Sequence, residues 1–129
     1  MKSQRLRGAA FALVSIVMLG SALAAHHSQP GFNPNTKPIE LKGTVAEYRW
    51  RNPHVLFFWD VKDPSGKVVR WVGEFGSVPS SIARGLTKDT FKVGEDVTVT
   101  GIPATAGTPA IQLRQIVKAD GTVIGGAAD

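Results

Sequence analysis

The chain contains three histidines, and two of them are adjacent, at His26 and His27. If the mature chain begins at Ala25, its amine, two backbone amide nitrogens and one ring nitrogen of His27 can surround a metal ion in a square plane. Tetragonal nitrogen sites suit Cu(II) and Ni(II). If the chain begins at His26 instead, the amine and ring of that residue can chelate copper together with a second imidazole. The alternative is that the two polar residues only follow a cleavage site and bind nothing.

The third histidine, His54, follows an Asn-Pro corner in the segment "RWRNPHVLFFWD". One interpretation places His54 and Glu74 in a shallow site walled by Trp50 and Trp71, with Asn52 beside it. His54 would also be the only second imidazole available to a copper ion on the His-His segment. The other interpretation is structural: His54 and Asn52 hydrogen-bond the backbone of the corner, and the two tryptophans pack in the core or at its rim.

The composition argues against most catalytic chemistry. The sequence has no cysteine, which excludes disulfides, thiolate metal sites, cysteine nucleophiles and iron–sulfur clusters. It contains neither the G-x-S-x-G pattern of serine hydrolases nor the H-E-x-x-H pattern of zinc proteases. No pair of acidic residues is placed by the sequence for general acid–base catalysis. We therefore expect a protein that is not an enzyme.

Residues 1–24 have the order of a secretory signal peptide. Three basic residues precede an apolar run of 13 residues from Gly8 to Gly20, and Ala22 and Ala24 form an A-x-A cleavage site. The apolar run is shorter than the ~20 residues that a membrane-spanning helix needs. The sequence thus predicts export to the periplasm or the medium, no stable membrane span after processing, and a mature chain that starts at Ala25 or, one residue later, at His26.

Removal of the signal peptide changes the charge of the chain. The full chain has 15 basic and 10 acidic residues; three basic residues leave with residues 1–24, so the mature chain has 12 and 10, a net charge of +2. Arg49, Arg51 and Arg70 could form a basic groove with Trp50 and Trp71, as in barrels that stack nucleic-acid bases on aromatic rings. The small charge and the exported location count against that partner, and we expect no nucleic acid.

The mature chain predicts one small domain with the element order β-β-β-α-β-β. Alternation of apolar and polar residues indicates the strands. Ser77 and Pro79 predict the start of a helix of roughly eight to ten residues within 77–86. Within this helix Ile82, Ala83 and Leu86 stand at helical spacing, which would put them on one face. This order is that of an OB-type barrel with five strands and a helix between the third and fourth; an open α+β sandwich is the alternative. The predicted organisation is a signal peptide over 1–24, an extended arm over 25–38, a mainly β, OB-like barrel over 39–121 and a flexible tail over 122–129.

Two strands carry more specific predictions. In the second strand Val55, Phe57, Trp59 and Val61 point to one side, and His54, Leu56, Phe58 and Asp60 point to the other. Both faces are largely apolar, which predicts a central strand that is covered on both sides for part of its length. In the first strand Gly43 interrupts an apolar face, which predicts a bulge or a sharp bend.

Several short motifs together resemble a bacterial family of small secreted proteins, catalogued as domain of unknown function 6152. The motifs are "HHS", "WRNPH", "DPSGKV", "WVGE" and "KVGEDVTVTG". The family signature maps onto His26, His27, Ser28, Trp50, Asn52, Pro53, His54, Trp71 and Glu74. The resemblance implies an exported protein with an OB-like fold and supplies no activity.

We therefore expect a small exported binding module. The first hypothesis is copper binding or metal handling through Ala25, His26, His27 and His54. The alternative is a module that binds a small ligand or a periplasmic protein on an aromatic face of the barrel without a metal.

Overall fold

A computed structural model describes residues 31–125 of the chain. It contains six strands and one helix. They are β1 (Ile39–Arg49), β2 (Val55–Lys62), β3 (Val68–Gly76), α1 (Val78–Ala83), β4 (Asp96–Pro103), β5 (Ala110–Lys118) and β6 (Val123–Gly125).

The first five strands close into a barrel, as the sequence predicts. Strand β1 pairs with β2 on one side and with β4 on the other, β2 pairs with β3, and β4 pairs with β5, all antiparallel. A short parallel pairing of β3 with β5, at Val72 with Ala110 and Gly73 with Ile111, completes the ring. The helix connects β3 to β4. This is the OB-like arrangement of one closed sheet, in which few backbone edges stay open.

Strand β1 serves two neighbours because it changes partner near its middle. Its first half pairs with β4 up to Thr44, and from Thr44 onward it pairs with β2. At Gly43 a Cβ atom would lie 2.3 Å from the carbonyl oxygen of Asp60, so only glycine allows the strands to approach this closely. The register shift that marks a bulge lies further along, between Val45 and Glu47.

The core lies inside the barrel and is formed mainly by apolar side chains of the strands. The alternation predicted for β2 is confirmed, because its inward residues are buried and the residues between them are partly exposed. The largest buried side chains are Trp59, Phe57 and Phe75. The ring of Tyr48 meets Phe75 and Phe91 edge-on, with centroids 6.4 and 5.1 Å away, and its burial raises the pKa of Tyr48 to about 12.

The helix begins where the sequence predicts but is shorter. The Ser77 hydroxyl accepts a hydrogen bond from the Ser80 amide at 3.3 Å, which caps the first turn. The helix ends after six residues, so the predicted apolar face is wrong: Ile82 is 59% exposed. Ser81 is buried instead. Leu86 is also buried, because the chain turns back at Gly85, which has a φ of +80°, rather than because the helix continues.

Both ends of the described chain are tied to the barrel. In the predicted arm, Asn33 organises a turn, since its side-chain oxygen accepts from the Asn35 amide at 2.9 Å, and Phe32 forms a β-bridge with Ala104. At the other end β6 pairs with β5, so residues 123–125 of the stretch assigned to a tail belong to the sheet. Within residues 31–125, no helix is long and apolar enough to cross a membrane.

Candidate functional site

The candidate site lies on the outer face of β2 and β3. Their pairing has regular register from Leu56 with Glu74 to Lys62 with Val68. Val55 is buried, so by the alternation of a strand its neighbours His54 and Leu56 point outward. Glu74, directly opposite Leu56, points outward as well. The sheet thus brings together two polar side chains that are twenty residues apart in sequence.

His54 and Glu74 are in direct contact. The Nδ1 atom of His54 hydrogen-bonds to an Oε1 oxygen of Glu74, and both side chains are nearly half exposed, at 46% and 41%. An ionised carboxylate can only accept hydrogen bonds, so Nδ1 carries the proton and donates it. In the neutral imidazole this leaves Nε2 with a lone pair. Within residues 31–125, the ring makes no second hydrogen bond.

Asn52 has a structural role rather than the ligand-binding role that the sequence suggested. Its side-chain oxygen accepts a hydrogen bond from the backbone amide of Val78 at 2.9 Å. Val78 is the first residue of α1, where backbone amides have no partner within the helix. Asn52 therefore ties the β1–β2 corner to the start of the helix. The Asn52–Pro53 peptide bond is cis.

Trp71 does not share a face of the sheet with Glu74, which corrects the predicted wall at that residue. Trp71 pairs with the inward-facing Trp59, and their ring centroids are 6.3 Å apart. Trp71 and Glu74 are separated by an odd number of positions in a regular strand, so they face opposite sides of the sheet. Trp50 packs against Tyr48, with centroids 5.8 Å apart, and both tryptophans lie against the core.

A groove of about 380 Å³ runs beside the His54–Glu74 pair. Its walls are mainly apolar and include Phe32, Leu56, Val72, Ile111 and Leu113, with Glu74 as the charged residue. Sequence reasoning missed Leu56 and Val72 as lining residues. The signal was available, because both occupy outward positions of apolar strands, opposite to the face that Trp59 places in the core.

Gly73 is one of the residues that line the groove. Gly73 faces Leu113 where β3 meets β5, and a Cβ atom on Gly73 would lie 2.5 Å from the Leu113 Cγ atom. The absence of a side chain at Gly73 lets Leu113 fill the space between the two strands. This close packing fixes one wall of the groove.

The predicted arm enters the same groove. The carbonyl oxygen of Gly31 accepts from the Thr105 amide at 2.9 Å, and Phe32 lines the groove with Glu74. The predicted ligands Ala25, His26 and His27 lie outside the described residues. His27 precedes Phe32 by five positions, which an extended chain spans in at most ~17 Å. Chain length alone thus allows His27 to reach the His54–Glu74 pair.

A second, larger cavity of about 650 Å³ lies elsewhere on the barrel. Its lining contains Lys42 and Lys62 and two carboxylates that already have partners. Asp60 accepts two hydrogen bonds from the Arg70 guanidinium, at 2.8 and 3.0 Å, which lower the pKa of Asp60, and Asp96 accepts from the Thr44 hydroxyl at 3.2 Å. This cavity has no histidine, so we consider the outer face of β2 and β3 the better candidate.

The described residues do not form a complete metal centre by themselves. Within residues 31–125, no three histidine or acidic side chains are grouped closely enough to hold a metal ion. His54 and Glu74 offer two donors at most.

Comparison with known proteins places the sequence in a family. No curated protein matches the chain. The model of a family of unknown function, DUF6152, matches residues 12–113, a range that contains all the residues predicted to form the site. Because the match covers most of the sequence, the chain belongs to the DUF6152 family.

Proposed function

We propose that this protein is an exported module that binds Cu(II) with its N-terminal His-His segment and with His54. The observation that carries the proposal is the position of Phe32, which lies in the groove that Glu74 also lines. The arm is therefore anchored beside the His54–Glu74 pair rather than on the far side of the barrel. His26 and His27 precede Phe32 by six and five positions, so only a short length of chain separates them from the groove.

The donor chemistry fits copper better than the other common metals. The site would combine an N-terminal amine with imidazole nitrogens and contains no thiolate, a set that suits the tetragonal geometry of Cu(II). If the mature chain begins at Ala25, His27 completes a square of four nitrogens and His54 adds an outer donor. If it begins at His26, the amine, the His26 ring and His54 supply three nitrogens.

The proposal depends on the true N-terminus, which is measured first. The intact mass of the protein recovered from the exported fraction gives the cleavage site, and we expect a chain that starts at Ala25. Retention of residues 1–24 would remove the amine donor and contradict this form of the site.

Calorimetric titration of the natively processed protein with Cu(II) tests the metal site. We expect His27→Ala to weaken binding by at least about tenfold, equivalent to 1.4 kcal/mol, and His54→Ala to weaken it less. The matched control is the same chain with two extra residues, neither of them histidine, before Ala25, which leaves no histidine at the third position but retains all three histidines. Binding should fall at acid pH, because the amine and the imidazoles must lose protons to bind the metal.

Affinity no greater than that of the double variant His26→Ala/His27→Ala would reject the copper function. Equal affinity of the His54→Ala variant and the wild type would restrict the site to the N-terminal segment. In that second case the barrel carries the segment but takes no part in binding.

The second candidate is a module that binds a small ligand or a partner without metal. The groove favours it, because about 380 Å³ of mainly apolar space beside one polar pair falls in the range of small-molecule sites. The tryptophans no longer support it, since they pack against the core. Screening the metal-free protein against small apolar compounds by NMR would give shifts at Leu56 and Val72. Val72→Lys should abolish them, while the copper function predicts unchanged metal affinity in that variant.

A further inference from the structure

We infer that Glu74 is a positioning residue, which fixes the tautomer and orientation of His54 so that its Nε2 atom is the one presented to the ligand. The identity of that ligand as copper rests on the proposed function. The inference itself concerns two described residues and their contact. It assigns Glu74 a role one step away from the metal, rather than a place among its ligands.

The protonation of the ring follows from the contact. Because the Glu74 carboxylate can only accept, the Nδ1 atom of His54 must donate. A free histidine side chain in water prefers to carry its proton on Nε2, so the contact reverses the intrinsic preference. Histidines that bind metals generally donate their other ring N–H to a carboxylate or carbonyl, which orients the ring and raises its basicity.

The backbone on both sides of His54 is fixed, so the contact selects a single ring direction. Two residues earlier, Asn52 is bonded to the Val78 amide. One residue later, Val55 is buried and pairs with Gly76. Glu74 is held on the neighbouring strand opposite Leu56. The direction of the His54 ring then depends only on the rotation of its side chain, and the hydrogen bond to Glu74 fixes that rotation.

The same contact argues against a metal ion that is bound by both the Nδ1 atom of His54 and the carboxylate of Glu74. A metal ion between Nδ1 and Oε1 would have to replace the proton and separate the two atoms. Binding at Nε2 needs no such change, because that nitrogen has no partner within residues 31–125. Metal binding at Nε2 therefore leaves the hydrogen bond between His54 and Glu74 intact.

NMR spectra of the metal-free, natively processed protein provide the first test. Nitrogen shifts of the His54 ring at mildly alkaline pH distinguish the two tautomers. We expect the proton on Nδ1 in the wild type and in Glu74→Gln, whose amide oxygen can accept the same hydrogen bond. In Glu74→Ala we expect the proton to move to Nε2. An Nε2–H tautomer in the wild type would overturn the inference whether or not copper binds.

Copper titration of the same variants provides the second test. Loss of such a partner typically weakens metal binding by about 10–100-fold; because Glu74 acts only through His54, we expect Glu74→Ala to lose affinity by no more than His54→Ala does, while Glu74→Gln keeps most of the affinity. Glu40→Gln is the matched control, because Glu40 is an exposed acid on β1 that lies outside the groove. It removes one negative charge and should leave the affinity unchanged.

The two tests separate the inference from the function that it extends. Equal loss of affinity in Glu74→Gln and Glu74→Ala, with the wild-type tautomer kept in both, would show that the carboxylate itself binds copper and would overturn the inference. Unchanged affinity in Glu74→Ala, with a clear effect of His54→Ala, would also overturn it and leave the copper site standing. Failure of every form to bind copper would reject the proposed function, while the tautomer spectra would still decide the role of Glu74.

Discussion

Strand β2 has two faces that are held in place by different forces. Its inward residues Val55, Phe57 and Trp59 are fully buried, and burial of apolar surface stabilises them without specific partners. Its outward residues depend on neighbouring strands. The Arg49 guanidinium of β1 lies 4.9 Å from the centre of the Phe58 ring, and Asp60 is paired with an arginine of β3.

The two faces of β2 differ in how much they contribute to stability and in how much change they tolerate. The inner face contributes most of the stability and tolerates little change, since the interior is close-packed. The outer face contributes less, because exposed ion pairs are individually worth about 0–1 kcal/mol. The His54–Glu74 pair belongs to the outer face, so a change there should affect binding far more than folding.

The largest expected effect is at the centre of the inner face. Trp59 is 0% exposed, and Trp59→Ala should reduce the free energy of unfolding by about 3–5 kcal/mol, as large-to-small core substitutions do. Urea unfolding measures the loss. Phe58→Ala, on the opposite face of the same strand, is the matched control and should lose clearly less. A loss below about 1 kcal/mol for Trp59→Ala would mean that the other face of β2 carries the core.

A smaller effect is expected from Tyr48 at alkaline pH. It is the only tyrosine in the chain, so the tyrosinate absorbance reports this residue alone. Burial raises the pKa of Tyr48 from 10.0 to about 12, so the unfolded chain loses the phenolic proton first as the pH rises. Stability should therefore be fully present below pH 10 and fall as the pH rises toward about 12.

The matched control for that change is Tyr48→Phe, which keeps the ring and removes the ionisable group. It should lose less stability than the wild type over the same range, and the difference isolates the contribution of the Tyr48 hydroxyl. A tyrosinate midpoint near 10 in the folded protein would contradict the burial of the Tyr48 hydroxyl.

The smallest effect is expected on the outer face, at the pair of Asp60 with Arg70. The arginine lowers the pKa of Asp60 below its ordinary value of 3.8, so the pair stabilises the fold above that pH and loses its contribution as the pH falls through the lowered pKa. Asp60→Asn should reduce stability at neutral pH by at most about 1 kcal/mol. Urea unfolding measures the free energy of unfolding of both proteins, and the difference between the wild type and Asp60→Asn should be smaller at strongly acidic pH than at neutral pH. A difference that grows in acid would contradict the assignment.

The sequence was sufficient for features that depend on neighbouring residues. The alternation in β2 separated its two faces, because successive side chains of a strand point to opposite sides. The turn after β2 depends on adjacent residues in the same way: the Gly66 amide donates a hydrogen bond to the Asp63 carbonyl at 2.9 Å, and Gly66 has a φ of +85°. Ser77 caps the helix for the same local reason. The number and order of the barrel strands followed from these signals.

Some errors came from applying a local pattern too far. Ile82 fitted a helical spacing, yet the helix is too short for that spacing to define a buried face. The predicted site places Trp71 as a wall beside Glu74, although the two residues are three positions apart in one strand. Their odd separation already indicated opposite faces, so the pattern contained the correction.

The composition and local patterns of the sequence determined the strand order, the alternation of side chains in β2, the helix start and the absence of thiol chemistry. Only the tertiary structure decided that His54 meets Glu74 through Nδ1, that Asn52 holds the helix start and that Phe32 brings the arm to the groove. The reason is physical. Cross-strand register and the path of a loop depend on how distant segments pack together, whereas alternation and capping depend only on adjacent residues.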